Sequence, residues 1–201
     1  LLHRGSDDGL MIALADIMGH DDAAKFFAYA CGGYLRGLMQ TVTSDDSPRQ
    51  LLEKLSENVL QDELWSHVTL TCCAARLQPG GQVTVASGGH PPPIRINKQG
   101  SQLVDVGGIL PGLLPGTRYQ ARTLQLVPGE RIALFTDGLF ESAADEGTRK
   151  ELESRIVLAL VDTLGDPIDR SVKEVMRAFD ELAGTPPRDD ALLLLLELAE
   201  E

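Results

Sequence analysis

The segment RIALFTDGLFES, residues 131–142, places a carboxylate at the end of an apolar run. Residues 131–135 have the length and composition of a buried strand, and Asp137-Gly138 interrupts the run before apolar residues resume. Such a pattern constrains the fold, because it predicts a sheet whose strand ends carry acidic side chains. It also raises the question of what the carboxylate of Asp137 binds.

Short apolar runs separated by turn residues predict a chain that mixes sheet and helix. Strands are expected at 10–15, 68–77, 82–87 and 191–198, and hairpins at 94–106 and 123–138, the latter around the turn Pro128-Gly129. Helices are expected at 23–39, from the N-cap Ser47 to residue 61, and at 147–164 and 167–182.

The whole chain is expected to form one domain. Its 201 residues can build a full core and show no break in composition, so residues 1–201 are predicted as a single domain. Hydrophobic residues make up 43% of the sequence and aromatic residues only 4%, which predicts an aliphatic core. Because the first residue is Leu1 and not Met, we expect an N-terminal strand or an upstream regulatory segment to be missing.

Charge and hydrophobicity argue against several kinds of partner. The formal net charge of -12 disfavours nucleic acid and anionic lipid. The longest apolar run, residues 191–196, is far shorter than the roughly 20 residues that cross a bilayer, and the N-terminus has no secretory signal. We therefore expect a cytoplasmic protein without membrane insertion. Cys31, Cys72 and Cys73 suggest no simple disulfide framework and are expected as small buried hydrophobic residues.

Three of the apolar runs carry aspartate at one end. Asp16 and Asp137 follow predicted strands, and Asp189-Asp190 precedes one. Strand ends gather at the edge of a sheet, and carboxylates that meet there repel one another unless cations neutralise them. Oxygen ligands suit Mg²⁺ or Mn²⁺ rather than zinc. Each aspartate alone is more typical of a turn or a cap, so the spacing leaves both interpretations open.

Five motifs, taken in order, resemble those of one family. They are LADIMGH at 14–20, SGGHPPPIRI at 87–96, GGILPGLLPGTRY at 107–119, LVPGERIALFTDGLFES at 126–142 and RDDALLLLLEL at 188–198. Their order and spacing are similar to those of the sporulation stage II E (SpoIIE) type phosphatases, the bacterial branch of the metal-dependent protein phosphatase 2C superfamily. The resemblance extends over nearly the whole chain.

The resemblance implies a fold and a set of metal ligands. The fold would be α+β, a four-layer α-β-β-α sandwich of two antiparallel sheets flanked by helices. Two Mn²⁺ or Mg²⁺ ions would lie at one end of the sheets. Asp16 would bridge them, Ile17 would offer its backbone carbonyl, and Asp137 and Asp189 would complete the ligands. By this interpretation the carboxylate of Asp137 ends the strand because it binds an ion.

The resemblance also implies an activity and a partner. The three aspartates would act through metal-bound water in the hydrolysis of phosphoserine or phosphothreonine on a protein. In this branch the substrate is typically the phosphorylated anti-sigma-factor antagonist of a partner-switching pathway, so the chain would serve signal transduction and sigma factor regulation. The motifs do not specify an oligomeric state.

One departure from the family keeps an alternative open. The family usually has a Gly-Gly-Asp motif before the first Asp-Gly turn, and nothing in this sequence matches it. Asp7 and Asp8 lie too close to the strand to take the role of that aspartate. The alternative is a catalytically degenerate domain that binds a phosphorylated partner or senses a signal without turnover.

Two further residues invite catalytic roles that the sequence does not favour. His90 lies in the rigid, proline-rich segment GGHPPP, which is more typical of a packed, hydrogen-bonded histidine than of a general acid. Glu141 follows the Asp-Gly pair by a few residues, and we expect it to be a solvated acid in the first turn of a helix.

Overall fold

A computed structural model describes residues 1–5, 7–19, 21–42, 47–65, 68–187 and 189–199. Over these residues the strands are β1 Leu2–Arg4, β2 Leu10–Ile17, β3 Leu70–Leu77, β4 Gln82–Gly88, β5 Ile94–Asn97, β6 Gly100–Leu103, β7 Ala121–Gln125, β8 Arg131–Phe135 and β9 Leu193–Glu197. The α-helices are α1 Asp22–Met39, α2 Ser47–Gln61, α3 Gly138–Glu141, α4 Glu146–Asp162 and α5 Ile168–Leu182, and Glu63–Trp65 forms a short 3-10 helix.

The chain divides into two compact units. The first unit comprises Leu1–Pro92 and Asp105–Gln125 and contains an antiparallel sheet in the order β1-β2-β3-β4-β7. Alternate residues of β2, such as Met11 and Ala13, face a core shared with the helices α1 and α2. That core is built from side chains such as Leu35, Leu51 and Leu55, so it is aliphatic as predicted.

The second unit comprises Pro93–Val104 and Leu126–Glu201 and contains an antiparallel sheet in the order β6-β5-β8-β9. The core of this unit joins residues of β5, β8 and β9 to the helices α4 and α5. Its central side chains include Ile96, Ala133, Ile156 and Val175. The two antiparallel sheets and the helices confirm the predicted α+β class.

The guanidinium of Arg131, which is 0% exposed, connects four segments of the second unit. Its Nε donates to Glu197 Oε2 on β9 at 2.6 Å. Its Nη1 donates to the Thr163 carbonyl oxygen at 2.9 Å and to Ser171 Oγ at 2.5 Å. Its Nη2 donates to the carbonyl oxygen of Asp166. The buried charge therefore binds two carbonyls that follow α4, the Ser171 hydroxyl near the start of α5, and the Glu197 carboxylate on β9.

Most of the predicted elements are present, but one hairpin is not. The turn at Pro128-Gly129 forms, with the N–H of Glu130 donating to the carbonyl of Val127 at 2.9 Å, yet β7 and β8 do not pair. Strand β8 already has β5 and β9 on its two sides, while β7 extends the other sheet beside β4. The predicted hairpin over 123–138 is therefore wrong.

The three cysteines are free and buried, as predicted. Burial raises the pKa of the Cys31 thiol to about 11 and that of the Cys73 thiol to about 12, and it raises the pKa of Cys72 as well. Over the described part of the chain, no helix combines the length and the apolar character that spanning a membrane requires.

Candidate metal site

Asp137 lies just beyond β8 in the second unit and caps α3. Its side chain is half-buried, and Oδ1 accepts a hydrogen bond from the N–H of Gly138 at 3.0 Å. The strand ends here because the following residues turn into helix: the N–H groups of Phe140 and Glu141 donate to the Asp137 carbonyl at 2.8 Å and 2.9 Å. The carboxylate is thus fixed at the end of a fully buried strand.

Thr136 attaches the segment that contains Asp189 to the end of β8. Its hydroxyl donates to the carbonyl of Asp190 at 2.8 Å and accepts from the N–H of Leu192 at 2.9 Å. The backbone N–H of Thr136 donates to the carbonyl of Leu192 at 3.1 Å. Ser142 Oγ donates to the carbonyl of Asp189 at 3.4 Å. Since β8 and β9 are antiparallel neighbours, the end of one strand meets the approach to the other.

Gly138 permits the close approach of these two segments. A Cβ built on Gly138 would lie 2.5 Å from the carbonyl oxygen of Asp190 and 3.2 Å from the carbonyl carbon of Asp189. No other residue type has room at this position, because a Cβ cannot stand so close to backbone atoms. The structure therefore brings Asp137 and Asp189 to the same end of the second unit's sheet.

Asp16 belongs to the first unit, where it is the next-to-last residue of β2. It lies opposite Thr71 on β3, and Met18, two residues on, donates its N–H to the Thr69 carbonyl at 2.9 Å. Hydrogen-bonded and non-hydrogen-bonded pairs alternate along an antiparallel ladder. Because Met18 and Thr69 form a hydrogen-bonded pair, the preceding pair, Ile17 with Leu70, is a non-hydrogen-bonded one. The carbonyl of Ile17 therefore points away from β3.

His90 is buried and hydrogen-bonded, as the sequence predicted. Its Nδ1 lies 2.7 Å from Thr71 Oγ1, and its carbonyl accepts from Ser87 Oγ at 2.8 Å. Glu141 is exposed, as predicted, and its carboxylate pairs with Arg149 at 3.3 Å. Glu141 also lies in the first turn of α3, as predicted, and because this helix has only four residues Glu141 is its last residue as well.

The donor chemistry of the predicted ligands fits a hard divalent cation. Asp16, Asp137, Asp189 and the carbonyl of Ile17 offer oxygen atoms only. Among the residues that the structure describes, no group of three or more His, Cys, Asp or Glu side chains is arranged to hold a metal ion. Asp137 and Asp189 share one end of a sheet, whereas Asp16 is part of the other unit. A common site for all three stays a prediction.

Three hydroxyl groups beside the predicted ligands were missed in the sequence. Thr136 and Ser142 hold the Asp189 segment, and Thr71 lies opposite Asp16. Thr136 and Ser142 show a weak signal, since each is a hydroxyl residue within a few residues of Asp137 in a largely apolar segment, whereas no aspartate lies close to Thr71 in the sequence. The hydrogen-bond partners of Thr136 and Ser142 are 54 and 47 residues away along the chain, and local patterns do not reveal such partners.

Comparison with known families gives one match that spans almost the whole chain. The sequence model of the stage II sporulation protein E (SpoIIE) family matches residues 6–199. A sequence search of curated proteins gives no match.

Solved structures share the fold at low sequence identity. The SiaA-PP2C domain of Pseudomonas aeruginosa superposes with a TM-score of 0.81 at 18% identity, covering 98% of this chain and 78% of that one. The RsbU and RsbW domains of Rv1364c from Mycobacterium tuberculosis give 0.77 at 22% identity, covering 96% and 54%. The phosphatase domain and regulatory fragment of SpoIIE from Bacillus subtilis give 0.68 at 18%, covering 95% and 55%. The chain thus spans about half the length of the latter two.

Proposed function

The chain belongs to the SpoIIE family, and we propose that it is a metal-dependent protein serine/threonine phosphatase. Structures that share its fold include phosphatases of the protein phosphatase 2C type, which are hydrolases. The observation that carries the proposal is the close packing of Gly138 against the backbone of Asp189 and Asp190. This packing supports the proposal because it keeps Asp137 and Asp189, two of the proposed oxygen ligands, at one end of the sheet, and only glycine leaves room for it.

The proposed roles follow the donor chemistry of the residues. Asp137 and Asp189 from the second unit and Asp16 from the first would hold two divalent cations, Mn²⁺ or Mg²⁺, with the carbonyl of Ile17 as a further donor. The direction of that carbonyl, away from the β3 ladder, supports this role. When bound, two such ions lower the pKa of a shared water and stabilise charge on a phosphoryl group. Thr136 and Ser142 would hold Asp189 in place for this purpose.

The proposed substrate is a protein that carries phosphoserine or phosphothreonine. Within that class we propose a phosphorylated anti-sigma-factor antagonist, as in partner switching. The support is a fold shared with a structure that contains RsbU and RsbW domains. The chemistry of the predicted site supports only the phosphate ester, so the identity of the protein depends on this analogy.

The test is Mn²⁺-dependent hydrolysis of p-nitrophenyl phosphate and of a phosphoserine peptide by the purified chain. We expect Asp16→Asn, Asp137→Asn and Asp189→Asn each to lower kcat/KM by about 100-fold or more, since each removes a charged ligand. Asp180→Asn, at an exposed position in α5, is the matched control and should keep full activity. Full activity in Asp137→Asn would contradict the site. Stoichiometric Mn²⁺ binding without turnover by the unmodified chain would instead support a binding module.

A further inference from the structure

A short polar patch ends one face of the first unit's sheet. Side chains alternate along a strand, so Ile12, Leu14 and Asp16 share the face of β2 that is turned away from the helical core. On β3 the residues directly opposite them are Ala75, Cys73 and Thr71. Along β2 and β3 this face is therefore apolar at Ile12 and Leu14 and their partners, and it is polar at the last of these pairs, Asp16 and Thr71.

The position opposite Asp16 brings the Thr71 side chain close to the carboxylate. Directly opposite residues of an antiparallel pair have Cβ atoms about 4.5–5.5 Å apart on the same face of the sheet. A threonine hydroxyl has one proton to donate and can accept two hydrogen bonds. The direction of that proton depends on the other group that the hydroxyl contacts.

His90 supplies the second contact of the Thr71 hydroxyl. Its Nδ1 lies 2.7 Å from Thr71 Oγ1, and the histidine is only 5% exposed. The loop that carries His90 is itself fixed: the carbonyl of His90 accepts from Ser87 Oγ at 2.8 Å, and the N–H of Gly89 donates to the Gly108 carbonyl at 2.8 Å. A buried ring on a loop whose backbone is fixed in this way holds Nδ1 beside the Thr71 hydroxyl and limits its rotation.

We propose that Thr71 and His90 are positioning residues for Asp16, a role that rests on the proposed metal site. In the tautomer that the proposal requires, Nδ1–H of His90 donates to Thr71 Oγ1, and the Thr71 hydroxyl then donates to the Asp16 carboxylate. This relay orients the carboxylate, whose two oxygens have about four lone-pair sites and so can accept the hydroxyl proton and still bind the predicted cations. Partners of this kind typically contribute 10- to 100-fold in metal affinity.

The experiment measures Mn²⁺ affinity by calorimetry on the whole chain, with no substrate present. Thr71→Val keeps the shape of the side chain and removes the hydroxyl, and we expect its Kd for Mn²⁺ to rise by about 10- to 100-fold. Thr71→Ser keeps the hydroxyl and should restore affinity to within about threefold of that of the unmodified chain. Thr84→Val is the matched control, because the Thr84 hydroxyl lies 3.0 Å from Thr123 Oγ1 and Thr84 is toward the opposite end of β4 from the His90 loop.

A second pair of variants keeps the test decisive if Thr71→Val does not fold. His90→Leu removes the ring nitrogen and should weaken Mn²⁺ binding as Thr71→Val does. His90→Asn places an amide near the position of Nδ1 and should retain more affinity than His90→Leu. Equal affinities in these two variants and the unmodified chain would overturn the relay.

Asp16→Asn separates the failure of this inference from the failure of the metal site. If Asp16→Asn abolishes Mn²⁺ binding while folded Thr71→Val and His90→Leu bind as tightly as the unmodified chain, the relay is wrong and the metal site stands. If Asp16→Asn itself binds Mn²⁺ with unchanged affinity, the assignment of Asp16 fails and the relay fails with it.

Discussion

Gly138 and Asp190 are packed so closely that a Cβ on Gly138 would stand 2.5 Å from the Asp190 carbonyl oxygen. This carbonyl also accepts the Thr136 hydroxyl at 2.8 Å, so it is held from two sides. The approach to β9, with Asp189, is therefore fixed to the end of β8 by contacts that a larger residue at 138 would break.

Gly138→Ala is expected to displace the Asp189 segment. We expect a loss of about 1–3 kcal/mol in the free energy of unfolding, typical of overpacking, and at least a tenfold weaker Kd for Mn²⁺. Denaturant titration and calorimetry measure the two effects. Gly33→Ala is the matched control, because apart from its chain neighbours and its own helix backbone no atom lies within 4 Å of the added Cβ on this exposed glycine. It should stabilise the chain by about 1 kcal/mol, and an equal gain in Gly138→Ala would contradict the packing argument.

Asp137→Asn is expected to raise the melting temperature in metal-free buffer. An uncharged side chain relieves repulsion from neighbouring carboxylates, and asparagine caps a helix about as well as aspartate. Added Mn²⁺ should then raise the melting temperature of the unmodified chain and leave that of Asp137→Asn unchanged. Scanning calorimetry in EDTA and in Mn²⁺ measures both values. A lower melting temperature for the variant in EDTA would show that the carboxylate is stabilising without any cation.

Arg131→Met is expected to lower the free energy of unfolding by about 3–5 kcal/mol, because it leaves the groups around a buried charge without their partner. Those groups include the Thr163 carbonyl and the Glu197 carboxylate. Arg122→Met is the matched control: its pair with Asp105 is exposed at both ends and should contribute about 1 kcal/mol or less. Urea titration compares the two variants. Equal losses in the free energy of unfolding would show that burial does not determine how much the Arg131 ion pair contributes to stability.

The sequence predicts the elements of this fold better than it predicts their partners. Periodicity and turn residues locate β2, β8 and the helices, because those signals are local. The pairing of β7 with β4 and not with β8 depends on which sheet edge is open, which no local pattern encodes. Local patterns do not predict the burial of Arg131 either, because the atoms that compensate its charge belong to residues 32 to 66 positions away along the chain.

The candidate site shows the same division. The positions of Asp16, Asp137 and Asp189 at the ends of apolar runs mark all three as candidates, and the family motifs give them a metal-binding role. The sequence indicates that Gly138 is a turn glycine. Its contact with the Asp190 carbonyl depends on the antiparallel pairing of β8 and β9, which the sequence around Gly138 does not show. Thr136 and Thr71 were missed because a threonine in or beside a strand is common and its hydroxyl partner lies on another element.

Asp7 and Arg76 form an ion pair between the turn after β1 and the last residues of β3. Arg76 is 3% exposed, and Asp7 Oδ1 also accepts the N–H of Gly9 at 3.2 Å. The hydrogen bond from Gly9, together with the Arg76 guanidinium, lowers the pKa of the Asp7 carboxyl below its ordinary value of 3.8. A lowered pKa means that this carboxylate stabilises the fold above 3.8 and loses its effect as the pH falls through the folded-state value.

Asp7→Asn should therefore lower the melting temperature by a constant amount between about pH 5 and pH 7, and by progressively less below pH 3.8, where the unmodified chain loses the same charge. Thermal melts of both proteins across this range give the difference at each pH. Asp105→Asn is the matched control, because its carboxylate pairs with Arg122 while 94% exposed, and its difference should stay near zero throughout. A difference for Asp7→Asn that persists unchanged at pH 2 would mean that the shape of the turn, and not the charge of Asp7, stabilises this pair.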